Sequence, residues 1–149
     1  MAQLDTSGQI EAIFVYQTHG NVPDMSVSRS GAAYRVLSDQ LGSVRLVVDV
    51  ANGGVVQRLD YAEFGVAIVD TNPGFQPFGY AGGLYDPDTR LARFGGRDYD
   101  PVVGRWTAKD LTGFAGGDAN LYAYVGNDPV NIIDPSGLLL GDGVLRGPR

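Results

Sequence analysis

Turn signals recur along this chain so often that no segment of helical length is left between them. Asp-Pro occurs at residues 86–87, 100–101, 128–129 and 134–135, Asn-Gly at 52–53, and 22 glycines and 8 prolines are spread over 149 residues. Pro presets φ, Asp accepts a hydrogen bond from a nearby backbone N–H, and Gly supplies the positive φ that closes a tight turn. Short apolar runs cut by such residues are the pattern of strands joined by hairpins, and the expected fold class is all-β.

The runs themselves repeat. Gly8 to Tyr16 and Gly53 to Tyr61 share Gly and Tyr at the same separation, each behind an Asp, at Asp5 and Asp49. Alternate residues, Ile10, Ala12, Phe14 and Tyr16 in one copy and Val55, Gln57, Leu59 and Tyr61 in the other, fall on one strand face. Units of this kind bury little alone and gain stability by stacking. Ser43 to Val50 reads as a further strand with Val44, Leu46, Val48 and Val50 on one side, followed by an Asn52-Gly53 hairpin turn. Val69 to Pro77 reads as a loop. Tyr-Asp-Pro at 85–87 and again at 99–101 marks two hairpins, Leu84–Arg93 and Arg97–Thr107. Over Asn120 to Val125 six residues do not discriminate between helix and strand, and Leu138 to Arg149 carries no strong pattern.

Several classes of function are disfavoured. A net charge of −6 with no basic cluster repels phosphate backbones, so no nucleic-acid partner is expected. No apolar run approaches the roughly 18 residues of a membrane span, and Met1-Ala-Gln-Leu-Asp5 has neither the charged nor the apolar region of a standard secretory signal. With no cysteine there is no disulfide and no thiolate chemistry. His19, the single histidine, has no nucleophile motif beside it and reads as a turn residue. The twelve-residue calcium loop with its terminal Glu is missing. Trp106 and the tyrosines read as core or stacking residues. No cofactor and no small-molecule ligand is expected.

An ordered string of motifs says more. Ser38-Asp-Gln-Leu-Gly-Ser-Val-Arg45, Asp60-Tyr-Ala-Glu-Phe-Gly65, Gly79-Tyr-Ala-Gly-Gly-Leu-Tyr-Asp-Pro87 and Arg97-Asp-Tyr-Asp-Pro101 are followed by four more. These are Gly104-Arg-Trp106, Asn120-Leu-Tyr-Ala-Tyr124, Asn127-Asp-Pro-Val-Asn131 and Asp134-Pro-Ser-Gly-Leu138. The string resembles the Rhs-associated core domain of bacterial Rhs/YD-repeat proteins and of the C subunits of ABC-type toxin complexes. The resemblance divides the chain into a partial YD-repeat strand segment (1–33), the core domain (34–138) and a short tail (139–149). It implies strand-turn-strand repeats forming a curved antiparallel sheet with a small irregular C-terminal segment. It also implies a bacterial protein, secreted or at the cell surface by a specialised export route. In that family the repeats close into a shell around a C-terminal toxin, and the core domain plugs the shell's end.

Many members of that family cut their own chain after the Asp-Pro-x-Gly-Leu motif, with two aspartates and an arginine. Carried over motif by motif, these are Asp110, Asp134 and Arg97, and the scissile bond is Leu138–Leu139. Two carboxylates a few ångströms apart share one proton, so one serves as base on water while the other polarises the carbonyl. The arginine holds a carboxylate by a charge-assisted contact. Locally, an Asp before Pro is most often a turn residue, and four such pairs occur here. Where the family commonly has Pro after the first aspartate, this chain has Leu111, which loosens that turn.

Two functions therefore stand side by side. One is a structural core or plug domain of a toxin-enclosing shell, whose partners are other YD/Rhs segments or copies of itself added at strand edges. The other is an aspartyl autoprotease acting once and in cis to release a C-terminal region. Eleven residues from Leu139 to Arg149 are too few for a toxin domain and two repeats are too few to enclose one, so the chain reads as an excised piece of a longer protein, a gene remnant or a stand-alone unit that assembles. The tail running on to Arg149 weights the expectation toward the first function.

Overall fold

The aspartates that dominate the acidic composition are mostly structural. In the Asp5–Gly8, Asp39–Gly42, Asp49–Gly53 and Asp100–Gly104 turns, the glycine N–H donates to the aspartate carbonyl at 2.8–3.0 Å. The carboxylate then accepts from backbone N–H groups inside the turn. Asp39 Oδ1 takes those of Leu41 and Ser43 at 3.0 Å each, and Asp5 Oδ1 takes Ser7 and Gln9 at 2.8 and 2.9 Å. The Ser7 hydroxyl and these N–H groups hold the Asp5 carboxyl below its ordinary pKa. Each turn reverses the chain by local chemistry alone, so consecutive apolar runs become neighbouring antiparallel strands.

A computed structural model describes residues 1–18, 20–111, 113 and 119–138, with the backbone of 145–146. Seven strands follow one another in sequence order across one antiparallel sheet: β1 (Ala2–Leu4), β2 (Ile10–Val15), β3 (Met25–Ser28), β4 (Ala33–Ser38), β5 (Val44–Asp49), β6 (Val55–Tyr61) and β7 (Ala67–Asp70). The sheet is not closed; β1 and β7 are its edges. A second meander follows: β8 (Leu84–Tyr85), β9 (Ala92–Phe94), β10 (Arg97–Asp100) and β11 (Arg105–Trp106). A final pair joins β12 (Ile132–Ile133) to β13 (Leu145–Arg146). No α-helix occurs among the described residues; short 3-10 turns lie at Tyr80–Gly82 and Val125–Asn127.

The all-β expectation holds, with four corrections of detail. Val69 and Asp70 are not loop but the end of β7, paired with Asp60 and Leu59. The hairpins 84–93 and 97–107 are fused, because β9 also pairs with β10 across Gly95-Gly96. Residues 120–124 are neither helix nor strand but turns with a single bridge from Ala123 to Arg105, and Val125 opens the 3-10 turn. On β5 the buried residues are Val44 and Val47, while Leu46 and Val48 are half-buried and Val50 is exposed beyond the strand end. The cause is a bulge: Leu37 faces Leu46 but Ser38 faces Val44, leaving Arg45 extra and switching the alternation. A second bulge, with Val47 opposite Gln57 but Val48 opposite Val55, leaves Val56 extra and turns Val55 out to solvent.

Two cores result. Beneath the sheet lie Phe14, Val22, Val36, Val44, Val47, Leu59 and Phe78. Phe14 and Val22, from the 1–33 segment, thus share one core with Val36 and Val44. Under the second meander, Tyr80, Phe94, Tyr99, Trp106 and Tyr124 form an aromatic cluster closed by Ile133. Tyr99 and Tyr124 rings lie 4.3 Å apart and Phe94 meets Trp106 edge-on at 5.9 Å, contacts worth about 1 kcal/mol each beyond their burial. Tyr61 packs against both cores. The sheet and the meander are further tied at Ala81, whose N–H donates to Ser43 Oγ and whose carbonyl accepts from Asn21 Nδ2, both at 2.9 Å.

Candidate functional site

Strand β10 opens directly after the Gly95-Gly96 turn, and its inward-facing residues are Arg97 and Tyr99. The register that sets Tyr99 opposite Trp106 places Arg97 diagonally across from the indole, and its guanidinium carbon lies 4.2 Å from the ring centroid. The other side of the guanidinium meets acids. Nη2 is 3.0 Å from Asp110 Oδ2 and 3.6 Å from Asp134 Oδ2. Side-chain exposure is 3% for Arg97, 12% for Asp110 and 3% for Asp134, so this is a buried ionic cluster rather than a surface pair. Both oxygens contact one nitrogen, so the two carboxylates lie no further apart than those two distances end to end.

The three sequence-derived residues are therefore brought together from β10, from the segment after β11 and from the turn after β12. Asp110 keeps its place although Leu111 replaces the family's proline. Its N–H donates to the Leu121 carbonyl at 3.0 Å, and Leu111 itself is exposed. Leu139, the far side of the expected scissile bond, lies outside the described residues, as does His19.

The segment Asp134–Leu138 is pressed onto the β9–β10 turn by backbone contacts. Gly96 N–H donates to the Ser136 carbonyl at 2.9 Å, and Arg97 Nε donates to the Gly137 carbonyl. Gly137 sits at φ +64°, and a Cβ there would stand 2.2 Å from the Phe94 carbonyl oxygen. Only glycine permits this approach. Ser136 and Trp106 are site residues that the sequence reading did not assign. Ser136 Oγ donates to Asp134 Oδ1 at 2.8 Å and accepts the Leu138 N–H at 3.2 Å, so it fixes both the carboxylate and the residue before the expected cut. A hydroxyl two residues after an Asp is the signal available for it, a weak one, since the same spacing marks ordinary turns.

Chemically, a guanidinium clamped between two carboxylates and one peptide carbonyl can hold acids and chain in fixed relation. Among the described residues no group of acidic or histidine side chains is arranged to hold a metal ion. No helix among them is long and apolar enough to cross a membrane, which says nothing about β-barrels.

An open antiparallel meander of Asp-turned repeats, closed on one side by a tyrosine-rich hairpin module, defines the chain as an Rhs/YD-repeat domain. The sequence profile described as Teneurin YD-shell matches residues 2–130, and the chain belongs to that family. It is 37% identical over 134 residues to Teneurin-3 of Danio rerio and 35% identical over 133 residues to Teneurin-4 of Homo sapiens, covering 86% and 85% of this chain. It is also 36% identical over 137 residues to Salivary gland surface protein 1 of Aedes aegypti, covering 89% of this chain. The chain spans only 4–5% of the length of these relatives. Among solved structures it resembles TcdB2-TccC3 without its hypervariable C-terminal region, with a TM-score of 0.68 at 26% identity over 76% of this chain and 6% of that one. It also resembles the Photorhabdus luminescens Tc holotoxin pore, with a TM-score of 0.65 at 15% identity over 95% of this chain and 10% of that one, a likeness of fold alone.

Proposed function

We propose that the chain is a structural segment of a YD-type shell, in which the seven-stranded sheet is wall and the β8–β11 module with residues 120–138 is the plug that closes it. The observation that carries this reading is the pairing of the sheet: β1 and β7 are each paired on one side, while the face between them is filled by the chain's own core. Edges of this kind accept strands from neighbouring shell segments or from a second copy. Leu4 and Ile68, on the two edge strands, are 57% and 66% exposed. Size-exclusion chromatography with light scattering tests the self-association arm. Concentration-dependent oligomers that become monomers in Leu4→Lys/Ile68→Lys are expected. A wild-type monomer at all concentrations sinks self-association and leaves other segments as the partners. Enclosure of a toxin rests on the likeness to the Tc complex. Placement outside the cell is supported by the relative named as a surface protein.

A second reading, autoproteolysis at Leu138–Leu139, is favoured by the convergence of Arg97, Asp110 and Asp134. In this reading one ionised aspartate takes a proton from water as its oxygen adds to the Leu138 carbonyl carbon, and the protonated aspartate donates to the carbonyl oxygen. The C–N bond then breaks, the Leu139 nitrogen takes up the proton, and Leu138 keeps a new carboxylate. Arg97 and Ser136 hold the preceding residues still, which is where an intramolecular reaction gains most. Intact-mass measurement at neutral pH decides it. A species ending at Leu138 that vanishes in Asp110→Asn and Asp134→Asn is expected. A single mass unchanged over days overturns the reading.

A further inference from the structure

Between β6, β7 and the second meander lies a cavity of about 210 Å³, larger than the roughly 150 Å³ apolar cavity that suffices for benzene. Most of its wall is apolar and aromatic: Leu59, Tyr61, Phe78, Tyr80, Tyr85 and Tyr99. One patch is polar, made by Gln57, Gln76 and Asp70. In that patch Gln76 Oε1 accepts the Phe78 N–H at 2.7 Å and Asp70 Oδ1 the Asn72 N–H at 3.0 Å. Gln57 Nε2 donates to Asp70 Oδ1 and to the Asn72 carbonyl, at 2.9 and 3.0 Å. Gln76 Nε2 donates to Gln57 Oε1 and to the Phe78 carbonyl, at 3.2 and 2.8 Å. Each amide has two N–H donors, so all four are spent inside the wall, and what the patch still offers is acceptor lone pairs on the amide and carboxylate oxygens. The exposed lining residues Ala67, Gly74 and Pro87 mark the mouth.

We propose that this cavity binds a small planar ring carrying one N–H or O–H donor, of indole or phenol size, with the ring among the tyrosines and the donor on the Gln57–Gln76–Asp70 patch. This revises the sequence expectation of no small-molecule ligand and is independent of the shell and protease readings. Apolar walls reward the ring by area removed from water, and the Gln57–Gln76–Asp70 patch, whose amide donors are all spent, favours a ligand group that donates, while the Tyr61 hydroxyl, buried without a hydrogen-bond partner, is left to donate to an oxygen or a ring face of the ligand.

The test uses the full chain and titrates indole, followed by amide chemical shifts and thermal melting. Expected are saturable shifts at residues around Tyr61 and Phe78, and a melting temperature raised by about 3 °C at roughly tenfold excess over Kd. 1-Methylindole, the same ring without its donor, should bind roughly 5- to 10-fold more weakly. Ala67→Phe, at the mouth, should lose binding at least about tenfold by filling the space, while Val50→Phe, exposed and not lining the cavity, should leave it unchanged. N-acetyltryptophanamide distinguishes the source of the ring: tighter binding than indole points to a protein tryptophan, weaker binding to a free molecule. Absence of saturable binding up to the solubility of indole overturns the proposal, as does indole affinity unaltered by Ala67→Phe. Equal affinity for 1-methylindole overturns the role given to the acceptor patch.

Discussion

Arg97 holds four groups at once: Asp110, Asp134, the Gly137 carbonyl and the face of Trp106. Burying a guanidinium is tolerated only when its charge is matched, and Arg97 supplies the positive charge beside Asp134, whose carboxylate also accepts from Ser136 Oγ. Removing one partner leaves the other buried without that opposite charge. Arg97→Met is expected to destabilise the protein by about 3 kcal/mol, measured by urea unfolding. Adding Asp134→Asn to that variant should recover part of the loss, because it removes the stranded charge. If Arg97→Met unfolds at the wild-type midpoint, the cluster carries no structural weight.

The bulges on β5 and β6 are the feature that distinguishes this sheet from a regular alternating one. One extra residue on β5 brings Val44 and Val47 to the same face, and both are fully buried. The same offset moves Val48 toward solvent, where a strict two-residue period would have buried it. Val47→Ala is therefore expected to cost about 2 kcal/mol and Val48→Ala less than about 1 kcal/mol by chemical denaturation. The opposite order would mean that the strand alternates regularly and that the bulge is absent in solution.

Over the molecule as a whole, stability depends on tyrosines kept neutral. Burial pushes the hydroxyl pKa of Tyr61, Tyr80, Tyr99 and Tyr124 upward, with neighbouring carboxylates and tyrosines acting in the same direction. These groups hold their protons more firmly folded than unfolded. Their contribution is complete below the ordinary tyrosine pKa of about 10 and is lost as pH rises beyond it, because the unfolded chain deprotonates first. Alkaline unfolding is expected above about pH 10, with the tyrosinate absorbance of the buried set appearing together with loss of circular dichroism. Tyrosinate absorbance from all eight tyrosines before any structural loss would show that the cluster is open to solvent.

The strands within 8–16, 43–50 and 53–61, the hairpins about the two Tyr-Asp-Pro motifs and the Asp- and Gly-marked turns were legible in the sequence because they rest on local chemistry, whereas the end of β7 was read as loop. Asp39 reaches the N–H groups of Leu41 and Ser43 within a few residues, and Gly53 takes its positive φ whatever lies elsewhere. Arg97, Asp110 and Asp134 were legible only through the order of family motifs, since each taken alone is an ordinary strand or turn residue. The roles of Ser136 and Trp106 were not legible, because each depends on where a distant segment comes to rest. The bulges, the close approach at Gly137 and the cavity beside Gln57 and Gln76 belong to the same group. Turn dihedrals are set by steric and hydrogen-bond preferences spanning about four residues. Register, burial and the sharing of one guanidinium among three segments are set by how the strands and loops pack, and no short stretch of chain contains that information.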